Sequence, residues 1–205
     1  MKSSKITYII FTIFFISCSE NFNKLSEKSI DTEELLRNIQ TSSKVQYWQL
    51  ERVPNWKDEN KNSEILFSKG IKIKVTEPSQ NNRFDWNGFF RGCEPSFCAY
   101  QISYIKSNKW QTVKSEKELK EFIGKIDNES EAFLIGKIND YDIDYYSEKG
   151  NGFIKEKEGY KIRMMIYNSC PESKESFTLF INESGNIEST KSNGFYLKSK
   201  NCIVY

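Results

Sequence analysis

The stretch Ser115-Glu116-Lys117-Glu118-Leu119-Lys120-Glu121-Phe122-Ile123-Gly124-Lys125-Ile126 decides the fold. Ser115 and Glu118 are spaced as a capping box: the serine hydroxyl accepts an orphan backbone N–H while the glutamate reaches back. Leu119, Phe122, Ile123 and Ile126 then fall at i, i+3, i+4 and i+7, one apolar face about two turns long. Asn128-Glu129-Ser130-Glu131 repeats the capping logic and predicts a second, shorter helix carrying Ala132, Phe133 and Ile135. Downstream the period changes from helix to strand. Tyr141, Ile143 and Tyr145 alternate with acids, and Tyr160, Ile162, Met164 and Ile166 alternate with Lys161 and Arg163. Phe177, Leu179 and Ile181 run into the turn Asn182-Glu183-Ser184-Gly185-Asn186, after which Ile187 opens a polar strand. One or two short helices packed on an antiparallel β-sheet meander is an α+β arrangement.

Upstream of that stretch, Val45 to Leu50 and Ala99 to Ile105 read as strands. Ile71-Lys72-Ile73-Lys74-Val75 alternates as a half-buried strand should. Pro54 to Ser63 and the surroundings of Asn81-Asn82 are polar loop. Residues 19–44 are mostly Ser, Asn, Lys and Glu, which predicts a flexible tether. One short helix interrupts it, where Asp31-Thr32-Glu33-Glu34 supplies an acid-rich first turn and Leu35, Leu36 and Ile39 a narrow apolar stripe.

The chain begins Met1-Lys2-Ser3-Ser4-Lys5, and Ile6 to Ile16 is then apolar or aromatic except for Thr7 and Thr12. A basic start, an apolar run and a small residue before a cut point make the layout of a secretory signal. The run is about eleven residues, whereas a bilayer-crossing helix needs about twenty. Phe15-Ile16-Ser17-Cys18 resembles the lipobox of bacterial lipoproteins, with Phe where Leu is usual. That resemblance implies lipidation of Cys18. The alternative is an ordinary signal followed by a chance cysteine. The expected organisation is a signal peptide over 1–17, a lipidated N-terminus and tether over 18–44, and one globular domain over 45–205. The expected location is the cell envelope, on the outer membrane or cell surface rather than the inner membrane.

Lys2 and Lys5 account for the whole net charge of +2, because residues 1–17 contain no acid; 28 residues of each sign remain. A neutral, well-mixed chain gives no basic face for nucleic acid. Aromatics at 15% argue for a packed domain rather than disorder.

With Cys18 assigned to lipid, Cys93, Cys98, Cys170 and Cys202 remain, an even count that reads as two disulfides in an oxidising compartment. Three pairings are open. Cys93 with Cys98 is favoured because Glu94-Pro95-Ser96-Phe97 contains a Pro turn, which leaves Cys170 with Cys202. A four-thiolate metal site is disfavoured by the x4 spacing and the wide second pair.

Trp110-x-x-Val113-x-Ser115-x-x-Glu118-Leu119-x-x-Phe122-Ile123, followed by Ile126-Asp127-Asn128-x-x-Glu131-Ala132, Gly159-Tyr160 and Cys170-Pro171, resembles a segment of uncharacterised bacterial envelope lipoproteins. The similarity spans about residues 110–190 and rests on caps and core faces. The same stretch is faintly similar to small PepSY-type modules, a helix before three strands. Neither resemblance implies catalytic residues.

The chain contains no histidine. That removes the commonest general base, the Ser–His and Cys–His pairs, and the commonest zinc ligand. Ser103-Tyr104-Ile105-Lys106 matches SxxK but lies in a strand pattern, where positions three apart face opposite ways. No cofactor motif is present. Asp140, Asp142 and Asp144 would share one strand face, which gives a calcium alternative. The EF-hand pattern then fails, with Tyr145 where Gly is needed and Asn151 at position twelve. The plainer reading of that cluster is a solvated strand face.

Arg83-Phe84-Asp85-Trp86-Asn87-Gly88-Phe89-Phe90-Arg91 is dense in the residue types of binding hot spots, and it precedes the Cys93–Cys98 loop. Phe84, Trp86, Phe89, Phe90 and Arg91 are therefore the candidate binding residues, with a second core layer as the structural alternative. The sequence predicts a lipid-anchored binding module for a protein or glycan, without catalysis, an inhibitor or immunity protein being the sharper form. The alternatives are a carboxylate-dependent, carbohydrate-active hydrolase and a structural envelope component.

Overall fold

In the computed structural model, residues 20–41, 44–54, 63–75, 88–93 and 98–202 are described, with the backbone alone at Pro54, Cys93 and Cys98. Cys18, Phe84 and Trp86 lie outside the described residues, as do the side chains of Cys93 and Cys98.

Two antiparallel sheets carry the fold rather than one meander. A 3-10 turn (Glu27–Ile30) and helix α1 (Thr32–Arg37) lead into β1 (Val45–Pro54), β2 (Glu64–Gly70), β3 (Phe89–Cys93), β4 (Cys98–Lys106) and β5 (Lys109–Val113). Helices α2 (Glu116–Ile123) and α3 (Glu129–Ile138) follow, then β6 (Gly152–Glu156), β7 (Gly159–Ser169), β8 (Glu172–Asn182) and β9 (Ile187–Lys198). The first sheet runs β2-β1-β4-β3, with β5 also paired to β4; the second is the expected meander, β6-β7-β8-β9. The described residues are largely β with three α-helices, α+β in the broad sense.

Both helix caps form. Ser115 Oγ accepts from the Glu118 N–H at 3.3 Å, while Glu118 reaches past it to the Lys114 N–H at 2.7 Å. Asn128 and Glu131 complete a full capping box on α3. That helix is buried from Ser130 through Gly136, so it is core on nearly every side. Gly136 allows this: a Cβ there would sit 2.0 Å from Met164 Sδ, so any side chain would displace the end of Met164 from its place between α3 and β7. One hydrophobic cluster joins Trp48, Leu50 and Ile102 of the first sheet to Ile162, Met164 and Leu179 of the second through Phe133 and Leu134.

Three expectations change. The expected tether is part of this core: Leu25, Ile30, Leu35, Leu36 and Ile39 are all buried, and Asn23 pairs with Phe153 on the edge of β6. Leu25 and Ile30 stand too far apart to declare a face by periodicity, and the stripe of Leu35, Leu36 and Ile39 does not say what it packs against. The strand expected over Ile71–Val75 is not formed. The second strand is Glu64–Gly70, which ends where Gly70 adopts φ +92° against the Gln46 carbonyl. Ile71 is left 79% exposed. Likewise the strand expected over Tyr141–Tyr145 reduces to one bridge, Asp142 with Met165.

Cys170 and Cys202 form a disulfide, which ties the segment after β9 to the β7–β8 turn. Backbone pairs between Glu172 and both Asn201 and Ser199 run alongside it at 3.0 and 2.8 Å. The backbones of Cys93 and Cys98 stand opposite each other in the β3–β4 register.

Candidate functional site

The loop after α3 is built around one buried carboxylate. Asp140 turns the chain with φ +65°, a left-handed conformation that Asp tolerates better than most residues. Asp142 exchanges two backbone hydrogen bonds of 2.7 Å with Met165, so it extends the edge of β7 beyond β6. Ile143 enters the core.

Asp144 is only 2% exposed and accepts three hydrogen bonds: from Tyr146 N–H (2.9 Å), Lys174 Nζ (2.9 Å) and the Tyr196 hydroxyl (2.7 Å). Burial pushes its carboxyl up. The bonds from Tyr196 and Lys174 outweigh that and hold it below the usual aspartate value. Tyr196 is correspondingly pushed up, by burial and by the Asp144 carboxylate it donates to. The loop closes on itself through Asp144 N–H to the Gly150 carbonyl at 2.9 Å, and Ser176 Oγ holds the Lys149 carbonyl.

That anchoring displays two aromatics: Tyr145 is 48% and Tyr146 92% exposed. Tyr145 also forms one wall of a hollow of about 620 Å³ whose other walls are Glu27, Lys28, Asp31, Glu33, Glu34 and Arg37. Four carboxylates against two cations give the hollow a net negative charge. The tyrosines register it: burial and the Asp31 and Asp142 charges raise Tyr145, and burial and the Glu33 charge raise Tyr100. Glu33 is engaged by Arg52 and by the Tyr100 hydroxyl at 3.3 Å, so Asp31 and Glu27 are better placed to receive a ligand's cation.

A second hollow of about 510 Å³ lies between α2 and the β4–β5 hairpin. Tyr104, Phe122, Gln111, Glu118 and Glu121 are among its walls, and the Tyr104 hydroxyl donates to Gln111 at 2.6 Å. Its charges are mixed and no exposed aromatic overhangs it.

The sequence-predicted residues are distributed differently from expectation. Asp140, Asp142 and Asp144 do not gather into one ligand set. Asp142 accepts from Lys137 Nζ and the Ile143 N–H, both at 2.9 Å, while Asp144 is turned to the Tyr146 N–H, Lys174 and Tyr196. Among the described residues no group of three His, Cys, Asp or Glu side chains is placed to hold a metal. The solvated strand face is corrected too, because Asp144 points inward. Within the aromatic block, Phe89 is fully buried against Tyr100, with ring centroids 6.4 Å apart, so its ring is occupied by packing. Phe90 is half-buried, its N–H donates to Glu116 at 3.0 Å, and Arg91 is exposed on β3. Tyr146, Lys174 and Tyr196 carried no local signal. Asp31, Glu33 and Glu34 did, but only as a helix start.

Two of the buried carboxylates, Glu131 and Asp144, act as staples. Glu131 is held by three backbone N–H groups and Asp144 by the donors named above. Among the described residues, neither they nor buried Glu51 lines either hollow.

The chain matches no protein-family description, no curated protein and no solved structure.

Proposed function

We propose that this protein is a lipid-anchored binding protein of the bacterial envelope, whose contact surface is the Tyr145–Tyr146 loop with the acidic hollow beside it. The observation that carries this reading is the exposure of Tyr146 on a loop fixed from within by Asp144. Tyrosine gives a large amphipathic contact at small entropic cost, and a pinned loop loses little freedom on binding. The carboxylates of Glu27 and Asp31 favour a protein partner presenting Lys or Arg over a neutral glycan. Envelope anchoring rests on the Phe15-Ile16-Ser17-Cys18 motif and the apolar run before it.

Two experiments test the two halves. Cys18→Ala should move the protein from the membrane fraction to the soluble one; continued membrane association sinks the lipid anchor. The oxidised Cys18→Ala protein, immobilised and exposed to envelope extract, should retain a basic protein that 0.5 M salt elutes and that Tyr145→Ala/Tyr146→Ala no longer holds. Undiminished retention by the double variant removes the loop from the contact surface.

A further inference from the structure

Resting on the reading of Cys18 as the lipid-bearing residue, we propose that the outer face of the β6–β9 sheet, around Lys161, Arg163 and Lys191, seats directly on phospholipid headgroups. Only Ser19 separates Cys18 from Glu20. Two residues of extended chain reach about 7 Å at most. Glu20 is already on the domain: its carboxylate pairs with Lys161 Nζ at 2.8 Å. The Phe22 ring centroid lies 3.8 Å from the Arg163 guanidinium, and Asn23 exchanges backbone hydrogen bonds of 2.9 and 2.7 Å with Phe153. The entry point of the acyl chains is thereby fixed to this edge of the sheet, with no tether to hold the domain away from the bilayer.

The register shows what that edge presents. Lys161 stands beside Phe180 and Ser189, and Arg163 beside Thr178 and Lys191. Tyr160, Ile162, Leu179 and Ile181 fill the opposite face and enter the core, so the face carrying Lys161, Arg163 and Lys191 is the outward one. Of its acids, Glu20 and Glu156 are both held by Lys161 at 2.8 and 2.9 Å, and Glu188 accepts from Asn182 Nδ2 at 2.7 Å, so the face is balanced in charge rather than repelled by headgroups. Beside a lipid anchor the acyl chains supply affinity, and Arg163 and Lys191 can meet headgroup phosphates and set the orientation. Half-buried Phe180 and Ile154 give the same face apolar surface at headgroup depth.

The test uses the full acylated protein in vesicles of phosphatidylethanolamine and phosphatidylglycerol, footprinted with a membrane-impermeant amine reagent and read by mass spectrometry. Labelling of Lys191 relative to Lys117 on α2 should fall several-fold against the soluble Cys18→Ala protein. A flexible Gly/Ser insertion of about fifteen residues between Ser19 and Glu20, spanning about 20 Å, should restore it. Equal Lys191 labelling in both forms, with lipid mass present on the N-terminal peptide, overturns the seating alone. Absence of that lipid mass overturns the anchor and the seating together.

Discussion

Glu131 Oε1 accepts the backbone N–H of Gln40 at 2.7 Å across ninety-one residues of sequence. Its other oxygen takes the N–H groups of Asp127 (2.7 Å) and Asn128 (3.3 Å), so one buried carboxylate caps α3 and fastens the N-terminal segment to it. Asn128 Nδ2 donates to the Asn38 carbonyl at 3.1 Å beside it. Glu131→Ala strands these donors. At about 1–3 kcal/mol for an unsatisfied buried group, a loss of about 3 kcal/mol is expected in urea titration. Glu131→Gln keeps one acceptor oxygen and should lose less. Equal losses would mean that volume rather than hydrogen bonding matters at this position.

Asp144 and Glu131 should give opposite pH signatures. The carboxyl of Asp144 lies below its ordinary value of 3.8, so its contribution is complete above that value and lost as pH falls through the folded value. The destabilisation caused by Asp144→Asn should therefore be largest near neutrality and shrink in acid. Burial raises Glu131 above its ordinary 4.5, so the folded state holds that proton more tightly than the unfolded one. Its contribution is complete below 4.5 and declines as pH rises through the raised value. Urea midpoints from pH 3 to 8 for wild type and both variants separate the two; a pH-independent Asp144→Asn penalty would count against the Lys174–Tyr196 pairing.

A chain beginning at Val45 should not fold cooperatively, because it lacks Leu25, Ile30, Leu35, Leu36 and Ile39. The single change Leu35→Ala should cost about 2–5 kcal/mol, the range for truncating a fully buried leucine. Thermal unfolding followed by circular dichroism checks both. A sharp transition from the shortened chain would return residues 20–41 to the status of a tether.

Cys202→Ser opens a loop whose ends are 32 residues apart in sequence. Loop-closure entropy makes that worth about 3–4 kcal/mol. Hydrogen exchange should accelerate first after Lys198, where the pairs with Glu172 depend on the closed turn. Unchanged exchange there would show that β8–β9 pairing alone holds the C-terminal segment.

The features legible in sequence are those governed by neighbours in the chain. The caps at Ser115 and Asn128, the alternation of Tyr160, Ile162 and Met164, and the turn at Asn182–Asn186 are short-range signals, and the corresponding elements form. Ile71–Val75 has the same alternation and forms no strand, because alternation marks a face without naming the strand that pairs with it. The cysteine count led to Cys170–Cys202, while the Asp144–Tyr196 bond spans fifty-two residues and leaves no periodicity to find. The candidate surface was half visible: Asp31, Glu33 and Glu34 looked like a helix start and Tyr145 like a strand position, while Glu27 and Tyr146 gave no signal. Only the turn after Asp140 and the anchoring of Asp144 bring them out beside one another.

The addition of Asn23 to the edge of β6 sets an order of events. Leu25 N–H waits for Asn151, 126 residues later, and Gln40 waits for Glu131. The first described stretch to be synthesised thus has no docking place until α3 and β6 have followed it. Completion of the second sheet then folds residues 20–41 down onto the protein, so the beginning of the described chain is the last part to find its partners.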